Sequence, residues 1–443
     1  MILESSHYWL KNAHVPESLM VKSKQGKSRN WSTTNPIDQP DRASLLLVDL
    51  EIMDGFIASI ATAGTLSSYN YPSIDLQGGM VFPCFVDLHT HLDKGHIWER
   101  TPNPDGTFNS AIAACVADEV IWTADDVYRR MEFGLKCSYA HGTKAIRTHI
   151  DAVGEQTAIS LEAFNTLREE WADRLILQAV SLVSLDYWLT PEGEKLADQM
   201  AEIGGILGGV IYMNPDVEAQ IERVFTLAKD RNLNLDFHTD ETNQPDSITL
   251  RLVAEATLRH RYQGRVVCGH ACSLAVQSLE EAEATIAVVK QAGIGVVSLP
   301  LCNLYLQDRQ IGRTPRWRGV TLLHELKAKG VPVALANDNC RDPFHAFGDH
   351  DVLEVFSWST KIAHLDHPYD DWCCAVTRTP ADLMNLPTVG RIGVGLPADL
   401  VLCKARRYSE LFSRSQSDRI VLREGQPIDT TLPDYAELDD LYR

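Results

Sequence analysis

The stretch VFPCFVDLHTH, residues 81–91, decides the fold, because it joins an apolar run of strand length to a polar end. Residues two apart on a strand face the same side, so His89 and His91 can bind one cation together. A His-x-His triplet alone is a weak signal, since chance triplets that face solvent are common. Its position at the carboxyl end of an apolar strand strengthens it, because barrel enzymes build their sites there.

Beyond this stretch, apolar runs of strand length alternate with amphipathic segments of helical length. Eight strands with intervening helices match the count of a (β/α)₈ barrel. A doubly wound open sheet is the competing arrangement, but no glycine-rich phosphate loop follows the first strand. The sequence therefore predicts an α/β fold with a TIM-type barrel, whose seven further strands are TKAIRTHI (143–150), LILQAVSL (175–182), GVIYMN (209–214), LNLDFHT (233–239), RVVCGH (265–270), GIGVVSLP (293–300) and VPVALAND (331–338).

Both ends of the chain are rich in β segments, unlike the middle. Strand–turn–strand patterns occur at 45–63 and return at 390–405 and 419–428. They predict a small β-sandwich domain built from residues 1–80 and 386–443, around a barrel domain at 81–385. A polar stretch at 22–42 is expected to form a long loop or an exposed hairpin.

The charge composition limits the classes of partner that the chain can be expected to bind. The chain has 443 residues with 41 Lys and Arg against 60 Asp and Glu, a net charge of −19. Such an acidic chain repels phosphate backbones and anionic headgroups, so we expect no nucleic-acid or membrane partner. No run approaches the roughly 18 apolar residues of a spanning helix. The first twenty residues lack a secretory signal, and the ten cysteines form no CxxC pair, so we expect reduced thiols and a cytoplasmic location.

Side chains able to bind a metal stand at the ends of five predicted barrel strands. A third imidazole from His238 and a carboxylate from Asp338 would complete an N₃O set with the first histidine pair. That donor set suits zinc or ferrous iron. The strand-end residues are His89, His91, His149, His238, His270 and Asp338.

Further residues near these ends suggest proton transfer. Glu241 lies three residues beyond His238, where it could take a proton from an attacking water; the alternative is a helix cap, which we favour for Asp240. His270 could hold the hydroxide or polarise a substrate oxygen, or it could be a hydrogen-bonded core histidine. His149 could form the pocket wall or support the ligands from behind.

The motifs FVDLHTHLDK, DFHTDE, CGHACS and LANDNCRDPF, in this order, resemble the amidohydrolase superfamily and within it the cytosine deaminase-like branch. The resemblance implies one divalent metal ion, Zn²⁺ or Fe²⁺, bound by His89, His91, His238 and Asp338. It also implies that Glu241 moves protons and that this protein forms a homo-oligomer, as its relatives usually do. Binuclear relatives carry a lysine at the end of the fourth strand, and GVIYMN has none, so a single metal is expected.

The sequence departs from cytosine deaminases at residues expected to contact substrate. Ser184 stands near the family's base-reading glutamine, Asn339 replaces a second acid, and Phe344 replaces a tryptophan. Lys94 stands where cytosine deaminases commonly have threonine, and a lysine at this position resembles relatives that hydrolyse substituted triazines. A solvent-facing lysine is an equal alternative. Together with His149, these residues are the expected substrate contacts.

The predicted function is metal-dependent hydrolytic deamination of a small amino-substituted nitrogen heterocycle, cytosine-like or a related pyrimidine, with release of ammonia. Glu241, His270 and Asp338 are the predicted catalytic residues. Two alternatives stay open: cleavage of a cyclic amide or of an N-alkylamino group on a triazine-like ring, and a non-catalytic metal-binding barrel.

Overall fold

The computed structural model describes residues 5–21, 44–66, 69–369 and 371–442, so the polar stretch at 22–42 lies outside the described residues. The strands, in chain order, are β1 (His7–Pro16), β2 (Leu45–Met53), β3 (Phe56–Thr62), β4 (Ser73–Asp75), β5 (Val81–Pro83), β6 (Phe85–Thr90), β7 (Thr143–Asp151), β8 (Ile176–Leu182), β9 (Ile206–Val210), β10 (Leu235–Thr239), β11 (Val266–His270), β12 (Gly295–Ser298), β13 (Val333–Leu335), β14 (Leu400–Leu402), β15 (Ile420–Arg423) and β16 (Gln426–Pro427).

Helices separate most of the central strands. The α-helices are α1 (Phe108–Glu119), α2 (Ala124–Ala140), α3 (Gln156–Glu170), α4 (Pro191–Glu202), α5 (Val217–Asp230), α6 (Thr249–Arg259), α7 (Leu279–Ala292), α8 (Pro300–Leu306), α9 (Leu323–Ala328), α10 (Val352–Ala363), α11 (Arg378–Leu383) and α12 (Tyr408–Leu411). None of the helices within the described residues combines the length and the hydropathy that a membrane span requires.

The strands β6 to β13 form one parallel eight-stranded sheet in chain order. A parallel bridge joins Thr90, at the end of β6, to Asp338, just beyond β13. The backbone N–H of Asp338 donates to the His89 carbonyl at 2.9 Å, and the Thr90 hydroxyl donates to the Asp338 carbonyl at 2.9 Å. These bonds bring the first and last strands together at the end that carries the metal-binding side chains, and the predicted barrel is confirmed.

Two antiparallel-rich sheets from the chain ends form the predicted sandwich. One has the strand order β3-β2-β1-β4 and the other β16-β15-β14-β5. Tyr8, Leu10 and Val48 from the first sheet share one buried apolar cluster with Leu400 and Leu422 from the second. Alternate residues of these strands face that core, which explains the alternating pattern at both termini.

Two predicted barrel strands differ from the observed ones. The run at 81–91 divides at Cys84: β5 pairs with β14, and only β6 enters the barrel. The fourth barrel strand spans Ile206–Val210, earlier than the predicted 209–214. Its Gly208 packs so closely against the Asp236 carbonyl that a Cβ atom would collide with it, so glycine, a residue depleted in strands, is required there.

By compactness the chain divides into two units. One comprises Met1–Val86, Ser138–Lys144 and Asp351–Leu432, and the other comprises Asp87–Cys137, Ala145–His350 and Pro433–Arg443. Relative to the predicted boundaries, the segment from 351 to 385 groups with the terminal sheets and the last residues group with the barrel. Compact packing is not independent folding, so the domain boundaries stay a prediction.

Candidate active site and metal centre

Four side chains from three barrel strands meet at the carboxyl end of the sheet. His89 lies on β6, His91 directly follows it, His238 lies on β10, and Asp338 lies three residues beyond β13. One donor atom from each lies within 4.8 Å of the others, and all four side chains are buried. The Nε2 atoms of His91 and His238 are 3.3 Å apart, and Asp338 Oδ1 is 3.2 Å from His91 Nε2. The predicted ligand set is therefore brought together.

The chemistry of this cluster fits a metal ion. Both ring nitrogens of His89 and Nδ1 of His238 are buried, and within the described residues they form no hydrogen bond. Unpartnered buried polar atoms cost free energy, and a bound cation would use one His89 nitrogen and a carboxylate oxygen of Asp338, whose two oxygens are also buried and unpartnered among the described residues. Burial is the main cause, and neighbouring histidines a smaller one, that lowers the pKa of His89 and His238 well below 6.5. Both imidazoles are therefore in the neutral form that binds metals.

Glu241 and His270 adjoin the cluster and share a partner. The Asn303 amide on α8 donates to Glu241 Oε1 at 3.2 Å and contacts His270 Nδ1 at 3.1 Å. Because Asn303 is the donor, Nδ1 of His270 accepts, and the ring carries its proton on Nε2. That Nε2 is buried and forms no hydrogen bond within the described part of the chain. Burial raises the pKa of Glu241 well above 4.5 and lowers that of His270 to about 3.

The backbone at these strand ends is strained. Asp240, His270 and Asp338 have φ angles of 52°, 68° and 68°, in the left-handed region that favours glycine. Such residues cost about 1–3 kcal/mol each and are retained where surrounding contacts require them. Asp240 accepts hydrogen bonds from the backbone N–H groups of Thr249 and Leu250 at the start of α6, at 2.7 and 3.0 Å, which is a capping role.

A cavity of about 350 Å³ opens beside the cluster. Of the residues expected to contact substrate, Lys94, Ser184, Asn339 and Phe344 line it, together with His91, His238, Glu241, His270 and Asp338. His149 is absent from the lining. Its buried ring packs against that of His89, with ring centroids 3.9 Å apart, which is the position that the second of the two predicted roles requires.

Lys94 is buried, so the solvent-facing alternative is wrong. Its ammonium group lies 2.9 and 3.0 Å from the two carboxylate oxygens of Asp151 and 5.2 Å from the centre of the Phe344 ring. Burial by itself would lower the pKa of Lys94, but Asp151 and Asp93 outweigh it and raise that pKa. The cavity therefore presents an ion pair and not a single cation.

Asn339 has two of its polar groups already engaged. Its Nδ2 donates to Asp342 Oδ2 at 2.8 Å, and its Oδ1 accepts from the Cys302 thiol at 3.6 Å. Burial raises the pKa of Asp342 to about 6. The second N–H of the Asn339 amide is the donor left for a ligand.

Asn303 and Asp151 contact the candidate site residues but were not predicted from the sequence. Asn303 lies on α8, which follows the seventh barrel strand, β12. Asp151 is the last residue of the second barrel strand, β7. Both obey the same strand-end rule that identified the ligands. Neither belongs to a recognisable motif, so only a systematic search of every strand end would have found them.

The fold and site define a metal-dependent hydrolase built on a TIM barrel. A model described as "Amidohydrolase family" matches residues 132–428. The chain is 52% identical over 402 residues to the pterin deaminase of Rhizobium rhizogenes (strain K84 / ATCC BAA-868), covering 90% of this chain and 92% of that protein. The chain therefore belongs to the amidohydrolase family, whose members hydrolyse carbon–nitrogen bonds, and the predicted superfamily is confirmed.

Two further similarities agree with this assignment. The chain is 27% identical over 340 residues to the N-isopropylammelide isopropyl amidohydrolase of Pseudomonas sp. (strain ADP), covering 74% of this chain and 81% of that protein. The crystal structure of 5-methylcytosine deaminase from Klebsiella pneumoniae, liganded with 5-fluorocytosine, superposes with a TM-score of 0.80 at 24% identity. That comparison covers 96% of this chain and 98% of the other, and it supports the fold.

Proposed function

We propose that this protein is a metal-dependent hydrolytic deaminase whose substrate is a pterin-like bicyclic heterocycle. Its extensive similarity to a pterin deaminase carries the proposal. The cavity supports it, because a volume of about 350 Å³ lies within the range of about 300–1,000 Å³ typical of small-molecule sites. The cytosine-like pyrimidine predicted from sequence becomes the competing substrate. A cytosine-sized ring shares the cyclic amidine of a pterin but lacks its second ring.

The reaction replaces an exocyclic amino group on a ring carbon with oxygen from water, releasing ammonia. A divalent cation held by the three histidines and Asp338 would supply Lewis acidity and lower the pKa of water. Glu241 accepts one proton of the attacking water and delivers it to the ring nitrogen, which keeps it in the oxo product. Its raised pKa suits a group that must both accept and donate protons.

His270 and Asp338 assist this transfer. The His270 Nε2–H, left without a partner by the Asn303 contact at Nδ1, is a donor for the oxygen of the attacking water or the substrate. Asp338 orients the water and accepts its second proton, which then passes to the departing amine so that it leaves as ammonia. These roles are consistent with three groups that line the same cavity.

Recognition of the ring is assigned to the other polar groups that line the cavity. The remaining Asn339 N–H and the ammonium of Lys94 are donors for ring oxygen or nitrogen, and Asp151 is an acceptor. Phe108, Ile112 and Phe344 also line the cavity, and apolar side chains of this kind suit a flat aromatic ring.

The test is product analysis with metal-loaded protein on pterin, cytosine, 5-methylcytosine and N-isopropylammelide. We expect ammonia and the corresponding oxo product from pterin, with the highest kcat/KM of the four. Glu241→Gln is the control: it should retain the metal while losing about 10²–10⁴-fold in rate. Release of isopropylamine as the preferred reaction would favour the triazine alternative. No turnover at full metal occupancy would favour the non-catalytic barrel.

The remaining predictions concern composition and assembly. We propose one divalent ion, Zn²⁺ or Fe²⁺, in the catalytic cluster, a homo-oligomer, and a cytoplasmic location. Elemental analysis and light scattering on the purified protein test the first two, and cell fractionation tests the third.

A further inference from the structure

A second group of metal-binding side chains lies outside the catalytic cluster. His96 comes from the segment after β6, and Cys340 and His350 come from the segment after β13. All three are buried, and one donor atom of each lies within 4.8 Å of the others. Neither the amidohydrolase chemistry nor the cavity uses any of them.

The spacing of the two imidazoles matches metal coordination. Two nitrogens bound tetrahedrally at about 2.0–2.1 Å from one ion lie about 3.3–3.4 Å apart. His96 Nε2 and His350 Nε2 are 3.3 Å apart. The same 3.3 Å separates Nε2 of His91 from Nε2 of His238 in the catalytic cluster. An N–H···N bond between the rings would also give this distance. The Cys340 sulfur, which accepts a hydrogen bond from the His350 backbone, supplies the third donor that a metal ion would need.

The backbone is strained at both histidines. His96 has a φ of 62° and His350 a φ of 54°, and the catalytic ligand Asp338 has the same kind of left-handed conformation at 68°. Such conformations persist where other contacts determine the local structure, as at ligand clamps. The two segments are also tied directly, because the His96 N–H donates to the Cys340 carbonyl at 3.1 Å.

The surrounding charges permit a cation. Arg130 and Arg341, the guanidinium groups that act on His96, are themselves paired with Asp126 at 2.7 Å and with Glu99 at 2.8 Å. The carboxylate of Asp349 is close enough to act electrostatically on the Cys340 sulfur. It would offset charge that one thiolate does not neutralise.

We propose that His96, Cys340 and His350 form a second metal site that binds a thiophilic divalent cation of the Zn²⁺ type. A thiolate with two imidazoles is a donor set that zinc favours. An ion there would join the segment that follows His91 to the segment that follows Asp338. It would thereby hold two of the catalytic ligands in register without contacting substrate.

The experiment uses full-length protein produced with Co²⁺ in place of Zn²⁺. We expect two metal ions per chain by elemental analysis and a thiolate-to-cobalt charge-transfer band in the near ultraviolet. The catalytic cluster contains no cysteine, so this band reports the second site alone. One ion per chain without the band overturns the proposal. Two ions without the band also overturn it, because the second ion would then lie among imidazoles and carboxylates.

Variants locate the ion. Cys340→Ser should abolish the band and remove one metal ion per chain, and His350→Asn should remove one metal ion as well. Cys403→Ser is the matched control, since Cys403 is an equally buried free thiol far along the chain and outside every metal-binding group found in the described residues. A band that survives Cys340→Ser, or disappears in Cys403→Ser, refutes the assignment. If Cys340→Ser does not fold, the measurements on the unmodified protein and on His350→Asn decide.

Discussion

Replacing Asn303 with alanine tests how the acid–base pair is tuned. Asn303 donates to Glu241 Oε1 at 3.2 Å, and this hydrogen bond lowers the pKa of Glu241 against the opposing effect of burial. It also contacts His270 Nδ1 at 3.1 Å. Asn303→Ala should therefore raise the pKa of Glu241. The histidine stays neutral in both proteins, so only the glutamate changes its titration in the working range.

The size of the effect follows from the lost bond. A hydrogen bond to a charged group contributes about 1.5–3 kcal/mol. One pKa unit corresponds to about 1.4 kcal/mol, so the pKa of Glu241 should rise by about 1–2 units. In the proposed mechanism Glu241 acts as the base in its ionised form, and the acidic limb of kcat/KM reports the base of the free enzyme. That limb should move to higher pH by the same amount, with little loss of rate on its alkaline side.

The assay is kcat/KM for the best substrate as a function of pH, with metal content measured in each variant. Gln307→Ala is the matched control, because Gln307 donates to the Glu241 backbone carbonyl at 3.4 Å and not to the carboxylate. Its acidic limb should coincide with that of the unmodified protein. An unmoved limb in Asn303→Ala, at unchanged metal content, would refute the role assigned to Asn303.

Three further changes test the ligands and the cavity. His238→Ala should lose both bound metal and activity, because it removes one of four ligands; full occupancy by elemental analysis would contradict the assignment. Lys94→Met should decrease the free energy of unfolding, measured in urea, because it leaves Asp151 without its partner. The decrease should lie near the lower end of the range of about 3–5 kcal/mol for a broken buried pair, since Asp151 is partly exposed. Asn339→Asp should destabilise the protein more at pH 8 than at pH 5, because two carboxylates then replace the 2.8 Å bond to Asp342 and can share a proton only at acidic pH. An equal decrease in melting temperature, relative to the unmodified protein, at both pH values would exclude this repulsion.

The cluster of side chains that could hold a metal was predictable because it depends on short-range rules. The two-residue period of a strand places His89 and His91 on one face, and the strand-end rule adds His238 and Asp338. Neither inference needs to know which strands are neighbours. The sandwich followed from alternation at both termini for the same reason. What failed was strand position where glycine replaced branched residues, as in the fourth barrel strand.

Residues that tune the site are harder to predict, because their role depends on barrel closure. Asn303 meets Glu241 only because the seventh strand lies two strands from the fifth in the closed sheet, and Asp151 meets Lys94 only across the first two strands. Their side chains are ordinary polar residues that could occur at any loop. Since these contacts come from separate βα segments, they can change one at a time while the ligands stay fixed. A shared ligand set is therefore compatible with the different substrates named for the relatives, and substrate choice has to be tested at the cavity.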